Sequence, residues 1–386
     1  MNYLYIGYYI EDEAFNEILN RKINNMSYAR QKFEYNIIKG FSKLVSNNIE
    51  LISYIPTNNN IELPKESRIE NLKIKHIFIK KNSLNSLLNA KLEFENYLFS
   101  KNENYLNNLC VIMYAVNPVF LSSILKLKHK YSIKIITICS EVPKLRRYKK
   151  SIKSILKKAI LSYYNEKFDG YIFFSEAMKE VVNKKQKPYM VLEGITTDIM
   201  QTPIENKKNI VMYAGGLAKD NNIKLLIEWC REIKILDEFW ICGVGEEAED
   251  IKKISIQDKR IKYFGSLKND EVIKLESLAK VLINFRNPKE ELTKYSFPSK
   301  ILEYITSGSL VLSTKLIGIP NEYYNYIIPI EKISKEEVIN NLKNIFLMDK
   351  EKYLFKCKKA QEFVKKEKNY YVQVGRILEF CKKIRS

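Results

Sequence analysis

Histidine and tryptophan are scarce in this 386-residue sequence, with two residues of each, and the six cysteines form no Cys-x-x-Cys pair. The cysteines show no metal-ligand spacing and lie mostly in apolar stretches, at Cys110, Cys139, Cys230, Cys242, Cys357 and Cys381. This spacing excludes a disulfide framework and a zinc motif, and it predicts reduced core cysteines of a cytoplasmic protein. His76 lies in KIKHIFIK and His129 in a basic helical stretch, so both are expected to be structural.

Long apolar runs are absent too, because none approaches the roughly 18–20 residues that a membrane-spanning helix needs. The first residues, MNYLYIGYYIEDEAF, lack the basic region of a signal peptide and predict a first strand. No internal repeat of solenoid length is present. A chain of this length is too long for one ordinary core, so the sequence predicts two domains.

Positive charge is abundant: the net charge is +20, and residues 121–168 carry 13 lysines or arginines against two glutamates. Within this region, residues 144–168 predict an amphipathic helix. Its apolar residues recur at helical spacing, at Leu145, Tyr148, Ile152, Ile155, Leu156, Ala159, Ile160 and Tyr163. Its lysines fall mainly on the other faces, at Lys149, Lys150, Lys153, Lys157 and Lys158.

The basic helix has three interpretations: a surface helix with a solvated face, a helix lying on an anionic membrane, and a nucleic-acid-binding element. The nucleic-acid interpretation is the weakest, because the region lacks interleaved aromatic residues for base stacking and matches no binding motif. We favour the membrane surface, following the pattern of interfacial helices. The predicted location is the cytoplasm, with the inner face of the membrane as the place of peripheral binding.

Strand-like apolar runs alternate with helical patterns along the whole chain, which predicts an α/β protein with parallel sheets. The predicted strands of the first half cover residues 3–9, 49–55, 109–115, 133–139 and 170–175. Those of the second half cover 209–215, 238–243, 261–265, 281–285 and 310–314. The sequence therefore predicts two Rossmann-like, doubly wound domains that face each other across a ligand-binding cleft.

The predicted domain boundaries follow from this alternation. The first domain covers residues 1–198, an aperiodic linker 199–208, and the second domain 209–367. Residues 368–386 predict a C-terminal helix. The sequence leaves open whether this helix crosses back to the first domain or caps the second.

The second half resembles the donor-binding domain of GT-B glycosyltransferases, and most of all family 4 of the retaining enzymes. The resemblance is carried by the order YAGGL, FWICGVGE, RIKYFGSL, VLINFR, YSFPSKILEYITSG and VLSTKLIGIPNEY across residues 209–323. The first half is similar more loosely, through YIFFSEAMKEVV and PYMVLEGITTD. The resemblance implies a GT-B fold in which the first domain binds the acceptor and the second binds a nucleotide-sugar donor.

The resemblance also implies the donor site. A helix start offers free N–H groups and a favourable dipole to a diphosphate, with Ser296, Ser299 and Lys300 adding donors. The glutamate that matches Glu303 accepts hydrogen bonds from the ribose in the family. Glycines let the backbone approach the phosphates and the base. The predicted donor-binding residues are Gly215, Gly216, Gly243, Gly245, Tyr295, Ser296, Phe297, Pro298, Ser299, Lys300 and Glu303.

The sequence departs from the family pattern at two places. Tyr295 stands near the position where family members often carry an acid that contacts the donor sugar, and Glu290 and Glu291 are its candidate substitutes. The usual Arg and Lys of the first phosphate loop correspond to Gly216 and Asn221. Arg286 and Lys300 are then the expected cations of the diphosphate site, because an unpaired diphosphate is costly to desolvate.

The predicted function is a retaining transfer of a sugar, with UDP as the expected nucleotide, to a hydroxyl of a glycan or lipid-linked acceptor in surface polysaccharide or glycoconjugate synthesis. Lys300, Arg286 and Glu141 are the predicted catalytic residues, and Glu141 and a helix over residues 26–41 lie on the acceptor side. No metal or other cofactor is expected, since the Asp-x-Asp motif is absent. Two alternatives remain: a catalytically silent partner of an active glycosyltransferase, and a sugar-nucleotide epimerase.

Overall fold

The computed structural model describes residues 1–20, 28–57, 63–80, 83–140, 142, 152–196 and 205–385. The described strands are β1 (Asn2–Gly7), β2 (Ile49–Thr57), β3 (Glu66–Ile69), β4 (Leu72–Lys80), β5 (Leu109–Tyr114), β6 (Lys134–Cys139), β7 (Gly170–Phe173), β8 (Tyr189–Val191), β9 (Ile210–Ala214), β10 (Glu238–Cys242), β11 (Ile261–Gly265), β12 (Val281–Asn284), β13 (Leu310–Thr314) and β14 (Ile328–Ile330). The α-helices are α1 (Asp12–Asn20), α2 (Tyr28–Leu44), α3 (Leu84–Phe99), α4 (Glu103–Asn107), α5 (Pro118–Lys128), α6 (Ile152–Asn165), α7 (Met178–Val182), α8 (Ile223–Arg231), α9 (Ala248–Gln257), α10 (Asn269–Leu278), α11 (Lys300–Thr306), α12 (Lys335–Phe346), α13 (Lys350–Glu367) and α14 (Tyr370–Arg385).

The chain divides into two compact units. Unit 1 contains residues 1–195 and 370–386, and unit 2 contains residues 196–369. The first long segment therefore ends at Ile195, three residues before the predicted limit of 198. Part of the predicted linker, residues 199–204, lies outside the described residues.

Unit 1 is built on an eight-stranded sheet in the order β3-β4-β2-β1-β5-β6-β7-β8. All neighbours are parallel except β3 and β4, which form an antiparallel hairpin. The central strand β1 is almost wholly buried because helices cover both faces of the sheet, and its apolar residues join one large core.

The C-terminal helix α14 belongs to unit 1. Val374 and Ile377 pack with Ile37 and Phe41 of α2 in the core of that unit. A side chain at Gly40 would collide with Val374, so the glycine allows α2 and α14 to approach closely. The choice that the sequence left open is thus resolved: the helix returns to the first domain.

Unit 2 is built on a six-stranded parallel sheet in the order β11-β10-β9-β12-β13-β14. Renumbered within the unit, this is the 3-2-1-4-5-6 order of a doubly wound dinucleotide-binding fold. The predicted α/β class with two Rossmann-like domains is confirmed. All ten predicted strands are present, within one or two residues at their ends in most cases.

The sequence missed four strands, β3, β4, β8 and β14. Two of them, β8 and β14, have only three residues, too few to show a period. His76 of β4 is buried and hydrogen-bonds through Nε2 to Ser67 Oγ at 2.9 Å and through Nδ1 to the Pro64 carbonyl at 2.7 Å. Burial lowers the pKa of His76, and the histidine holds the β3–β4 hairpin as a structural residue.

All six cysteines are buried and none forms a disulfide, as the sequence predicts for core thiols. No helix among the described parts of the chain combines the length and the apolar character that crossing a membrane requires.

Candidate functional site

Three of the predicted site residues of unit 2 follow the two strands between which the strand order reverses. Strands β9 and β12 are neighbours in the sheet, although the chain visits β10 and β11 between them. Gly215 and Gly216 follow β9, and Arg286 follows β12 by two residues. In open parallel sheets, ligands bind outside the carboxyl ends of the strands at this kind of switch point.

The glycine loops after β9 and β10 run side by side. The Gly215 N–H donates to the Cys242 carbonyl at 3.0 Å, and the Leu217 N–H donates to the Val244 carbonyl at 2.9 Å. A Cβ at Gly243 would collide with the Gly215 carbonyl, and one at Gly245 would lie 2.5 Å from the Leu217 carbonyl oxygen. Glycine is therefore needed at positions 243 and 245 because the two backbones approach each other closely there.

Gly216 differs from these glycines because a Cβ there would meet no atom within 4 Å. The Gly216 carbonyl accepts hydrogen bonds from the Tyr213 hydroxyl at 2.9 Å and from Asn221 Nδ2 at 2.7 Å. Asn221 thus shapes the loop, at the position where the family pattern has a lysine. The space beside Gly216 is open to a ligand.

Arg286 supplies positive charge near this loop. Burial raises the pKa of Tyr213, whose hydroxyl bonds to the Gly216 carbonyl, to about 12, and the positive charge of Arg286 opposes that rise. Arg286 is half-buried and forms no ion pair with another residue of the described chain. Its backbone N–H donates to Thr314 Oγ1 at 3.2 Å, which fixes the loop that carries it.

The corner before α11 is partly core and partly surface. Phe297 is buried against Tyr323, with ring centroids 5.1 Å apart, and Pro298 is buried beside it. Ser296 Oγ donates to the Leu292 carbonyl at 3.0 Å, whereas the exposed Ser299 makes no side-chain capping bond. Tyr295 is half-buried at the end of the preceding turn. Phe297 and Pro298 thus anchor the corner, and Ser299 remains accessible.

Helix α11 is fixed to the end of β9 by Tyr304. The buried Tyr304 hydroxyl donates to the Ala214 carbonyl at 3.1 Å and accepts from the Ala214 N–H at 3.0 Å. This pair of hydrogen bonds fixes the middle of α11 against Ala214, the residue before Gly215.

Lys300 lies between two carboxyl groups. Its Nζ hydrogen-bonds to Glu303 Oε1 and lies 3.2 Å from Glu276 Oε1. Glu276 comes from α10, is fully buried, and its second oxygen accepts no hydrogen bond from the described residues. Glu276 could not be recognised as a site residue from the sequence, because it is part of no motif and lies in an otherwise ordinary helix.

Electrostatics couple these three groups. Burial raises the pKa of Glu276, and the neighbouring Glu303 raises it further. Burial would lower the pKa of Lys300, but the Glu303 and Glu276 carboxyls outweigh it and raise that pKa. The charge of Lys300 is therefore balanced by neighbouring carboxyl groups, whereas Arg286 has no such partner among the described residues.

Unit 1 has its own switch point, between β1 and β5. Glu34 of α2 is fully buried beside the end of β1, where it accepts hydrogen bonds from the Tyr8 N–H at 2.7 Å and the Tyr5 hydroxyl at 3.0 Å. Burial raises the pKa of Glu34 to about 7, although these hydrogen bonds and the charge of Arg30 act to lower it. The predicted helix over residues 26–41 is present as α2, from Tyr28 onward.

Arg30 of α2 covers two tyrosine rings at this edge. Its guanidinium carbon lies 5.0 Å from the ring centroid of Tyr8 and 5.6 Å from that of Tyr114. Tyr8 follows β1 and Tyr114 ends β5. This cluster could not be predicted from the sequence, because its members are far apart along the chain.

An open pocket of about 590 Å³ lies at the same edge of unit 1. Its lining residues lie at or just after the ends of β1, β4, β5 and β6, in β2, and in α3, α5 and α6. They are Tyr8, Tyr54, Ile79, Leu87, Ala115, Val116, Asn117, Pro118, Val119, Cys139, Ser140, Leu156, Lys157, Ile160, Leu161 and Asn165. The volume is within the usual range of small-molecule sites.

The described part of the basic helix, α6, does not bury its predicted apolar face. Ile155 is 69% exposed, Leu156 61%, Tyr163 58% and Ile160 42%. Simple packing against unit 1 therefore does not explain why these positions are apolar. Residues 143–151, which include Lys149 and Lys150, lie outside the described chain, as does Glu141, the predicted acceptor-side residue.

Comparison with solved structures gives matches over the full chain. The chain is similar to sucrose-phosphate synthase from Thermosynechococcus elongatus, with 12% identity and a TM-score of 0.64 over 100% of this chain and 99% of that one. HepE from Anabaena, solved in complex with UDP, matches at 10% identity and a TM-score of 0.63 over 99% and 100%. The fold is that of GT-B glycosyltransferases.

The lipopolysaccharide outer core galactosyltransferase WaaB shares this GT-B fold, with 12% identity and a TM-score of 0.63 over 99% of each chain. No protein-family model matches the sequence, and no curated protein does. Identities this low show a shared fold, so the activity has to be argued from the residues themselves.

Proposed function

We propose that the chain is a retaining glycosyltransferase of the family-4 type. It transfers a sugar from a nucleotide diphosphate sugar, with UDP as the nucleotide, to a hydroxyl of a glycan or lipid-linked acceptor in surface polysaccharide or glycoconjugate synthesis. The proposal is supported by Gly216 and Arg286, which follow the neighbouring strands β9 and β12, and by Tyr304, which ties the helix of Glu303 to Ala214 at the end of β9. The HepE complexes with UDP and UDP-glucose support the choice of donor.

Diphosphate binding is assigned to the open side of Gly216 and to Arg286. A backbone without a Cβ lets the phosphates come close, and Arg286 has no carboxylate partner in the described chain that would have to be displaced. An arginine presents paired N–H donors that suit phosphate oxygens. The exposed Ser299, just before α11, adds a hydroxyl group.

Ribose binding is assigned to Glu303, as the resemblance predicts. Lys300 bonds to one oxygen of this carboxylate and so holds its orientation. We propose that Lys300 acts on the donor mainly through Glu303, and that Arg286 carries most of the charge neutralisation at the diphosphate.

In the reaction, the bond between the anomeric carbon and the phosphate oxygen breaks, and a bond from the acceptor oxygen forms on the same face. The acceptor proton passes to the departing phosphate, so no protein base is obligatory. Arg286 stabilises the charge that grows on that phosphate, which lowers the barrier more than it strengthens ground-state binding. No metal is required in this scheme.

Acceptor binding is assigned to unit 1, and binding to an anionic membrane surface is assigned to residues 144–168. The exposed apolar residues of α6 support the membrane assignment, because they would rest on a bilayer while the lysines meet anionic headgroups. The proposed location is the cytoplasm, with peripheral attachment to the inner face of the membrane.

A nucleotide screen tests the proposal directly. A ligand at 100 times its Kd stabilises the folded protein by about 2.7 kcal/mol, so UDP should raise Tm measurably where GDP and ADP raise it less. A UDP-sugar should then be consumed only when an acceptor is present, with EDTA without effect. Absence of stabilisation by any nucleotide would refute the proposal, and conversion of the donor without acceptor would favour an epimerase.

A catalytically silent partner of an active glycosyltransferase is the second candidate. It is favoured by Tyr295 at the position near which the family often has an acid, and by the neutral Gly216 and Asn221. A protein that binds UDP but turns over no UDP-sugar with any glycan or lipid-linked acceptor would establish this alternative.

A further inference from the structure

The open pocket of unit 1 has walls of two kinds. Its apolar wall is formed by Ile79 and Leu87 on one side and by Leu156, Ile160 and Leu161 of α6 on the other. Its polar residues lie at the ends of the central strands, where Tyr8 and Asn117 line it. Asn117 is already occupied as the cap of α5, since its Oδ1 accepts from the N–H groups of Val119 and Phe120.

Positive charge lies at the side of this pocket. Lys157 lines it and Lys158 follows in α6, and neither ammonium group forms an ion pair with another described residue. The Arg30 guanidinium lies over the ring of Tyr8, which also lines the pocket. An apolar wall beside these cations is complementary to an anionic amphiphile, with its chain against the wall and its headgroup at Lys157.

We propose that this pocket binds the hydrocarbon chain of an anionic, lipid-borne acceptor, whose phosphate-type headgroup lies at Lys157. That the ligand is an acceptor rests on the proposed function. The inference narrows the acceptor class from any glycan to one carried on a lipid. A free glycan is a poor occupant, because sugar hydroxyls against Ile79, Leu87 and Ile160 would lose their hydrogen bonds to water.

Calorimetric titration with decyl phosphate, below its micelle concentration, tests the pocket without any transfer reaction. Each buried methylene contributes about 0.8 kcal/mol, so affinity should rise about fourfold per carbon from octyl to decyl phosphate. Inorganic phosphate should not bind measurably, and decyl glucoside should bind more weakly than decyl phosphate. Equal affinities along the chain-length series would overturn the proposal.

Two isoleucines of α6 provide a matched pair of variants. Ile160 lines the pocket, whereas Ile155 is exposed on the same helix and does not line it. Ile160→Gln should weaken decyl phosphate binding about tenfold, and Ile155→Gln should leave it within twofold. Val119→Trp, which fills the pocket from α5, should abolish binding even if Ile160→Gln folds poorly. Equal losses in Ile160→Gln and Ile155→Gln would place the amphiphile on the outer surface of α6 and refute the pocket.

UDP binding is measured on the same samples, which separates this inference from the donor site. A protein that binds UDP but not decyl phosphate contradicts the pocket and leaves the proposed donor site intact. In the transfer assay, decyl phosphate should raise the apparent KM for a lipid-borne acceptor and leave the KM for the nucleotide sugar unchanged. Inhibition that does not alter the acceptor KM would assign the pocket to a membrane lipid and overturn the acceptor assignment.

Discussion

The carboxyl edges of the two sheets share one topology and differ in chemistry. In each unit the strand order reverses beside the first strand, β1 or β9, which opens a crevice there. In unit 2 the crevice is bordered by glycines, Arg286 and the Glu276–Lys300–Glu303 group. In unit 1 it is bordered by tyrosines and leads to a mainly apolar pocket. The fold supplies the crevice, and the residues just after each strand decide what it can bind.

A buried glutamate is common to both edges but has different partners. Glu34 in unit 1 accepts bonds from neutral groups, the Tyr5 hydroxyl and the Tyr8 N–H, and Glu276 in unit 2 meets the cation of Lys300. Burial raises the pKa of both. The carboxyl of unit 1 thus supports the ends of strands, and that of unit 2 belongs to a charged group at the proposed donor site.

The largest expected effect concerns the basic helix of unit 1. Each Lys near an anionic bilayer contributes about 1 kcal/mol, so five of them contribute up to about 5 kcal/mol before the losses from ordering. Changing Lys149, Lys150, Lys153, Lys157 and Lys158 together to Gln should abolish co-sedimentation with anionic vesicles, and high salt should do the same to the wild type. UDP binding should be unchanged, because the donor residues lie in the other unit. Equal binding to neutral and anionic vesicles, or none to either, would return α6 to a solvated surface helix.

Arg286→Gln should give the next largest effect, now in unit 2. Losing a donor that stabilises growing charge costs about 2.7–4 kcal/mol, so kcat should fall about 100- to 1,000-fold with a smaller change in UDP affinity. Lys289→Gln, an exposed cation three residues along, serves as the matched control. If Arg286→Gln keeps kcat/KM within twofold of Lys289→Gln, the diphosphate is held elsewhere.

Glu303→Gln should weaken UDP binding by about 1.5–3 kcal/mol, since hydrogen bonds from the ribose to a charged acceptor are lost. Titration calorimetry should therefore show a Kd raised roughly 10- to 100-fold, with the exposed Glu249→Gln as control. Unchanged affinity in a folded Glu303→Gln protein would remove this residue from the donor site and weaken the contrast between the two edges.

Much of the fold could be predicted from the sequence, because buried parallel strands are nearly continuous apolar runs with recognisable breaks. The runs at 109–115 and 281–285 show this, and both are strands. The family order of motifs also indicated the loops of unit 2 that carry Gly216 and Arg286 and the helix that carries Glu303. The position of α14 could not be predicted, because an amphipathic helix shows that it packs but not on which core.

The partners of charged groups could not be predicted either. Glu303 lies one turn after Lys300 on α11, but Glu276 is 24 residues before Lys300, and only the fold brings its carboxyl group to that lysine. The exposure of the apolar residues of α6 could not be predicted either, since the helical period alone does not say what covers an apolar face. The roles of Glu141 and of the other predicted site residues stay predictions.

The smallest expected effect is the pH dependence of stability that Glu34 contributes. Its folded-state pKa of about 7 lies above its ordinary value of 4.5, so between these values only the folded state keeps the proton. The stabilisation is complete below pH 4.5 and is lost as the pH rises through about 7. Glu34→Gln resembles the protonated form, so it should remove on the order of 2 kcal/mol of the decline in stability between pH 5 and pH 8.

Denaturant titrations across this range measure the slope, with the exposed Glu13→Gln as control. Glu276 acts in the same direction, so Glu34→Gln should flatten the slope only in part, and adding Glu276→Gln should flatten it further. An unchanged slope in Glu34→Gln would mean that Glu34 stays ionised in the folded protein, held so by Tyr5, Tyr8 and Arg30.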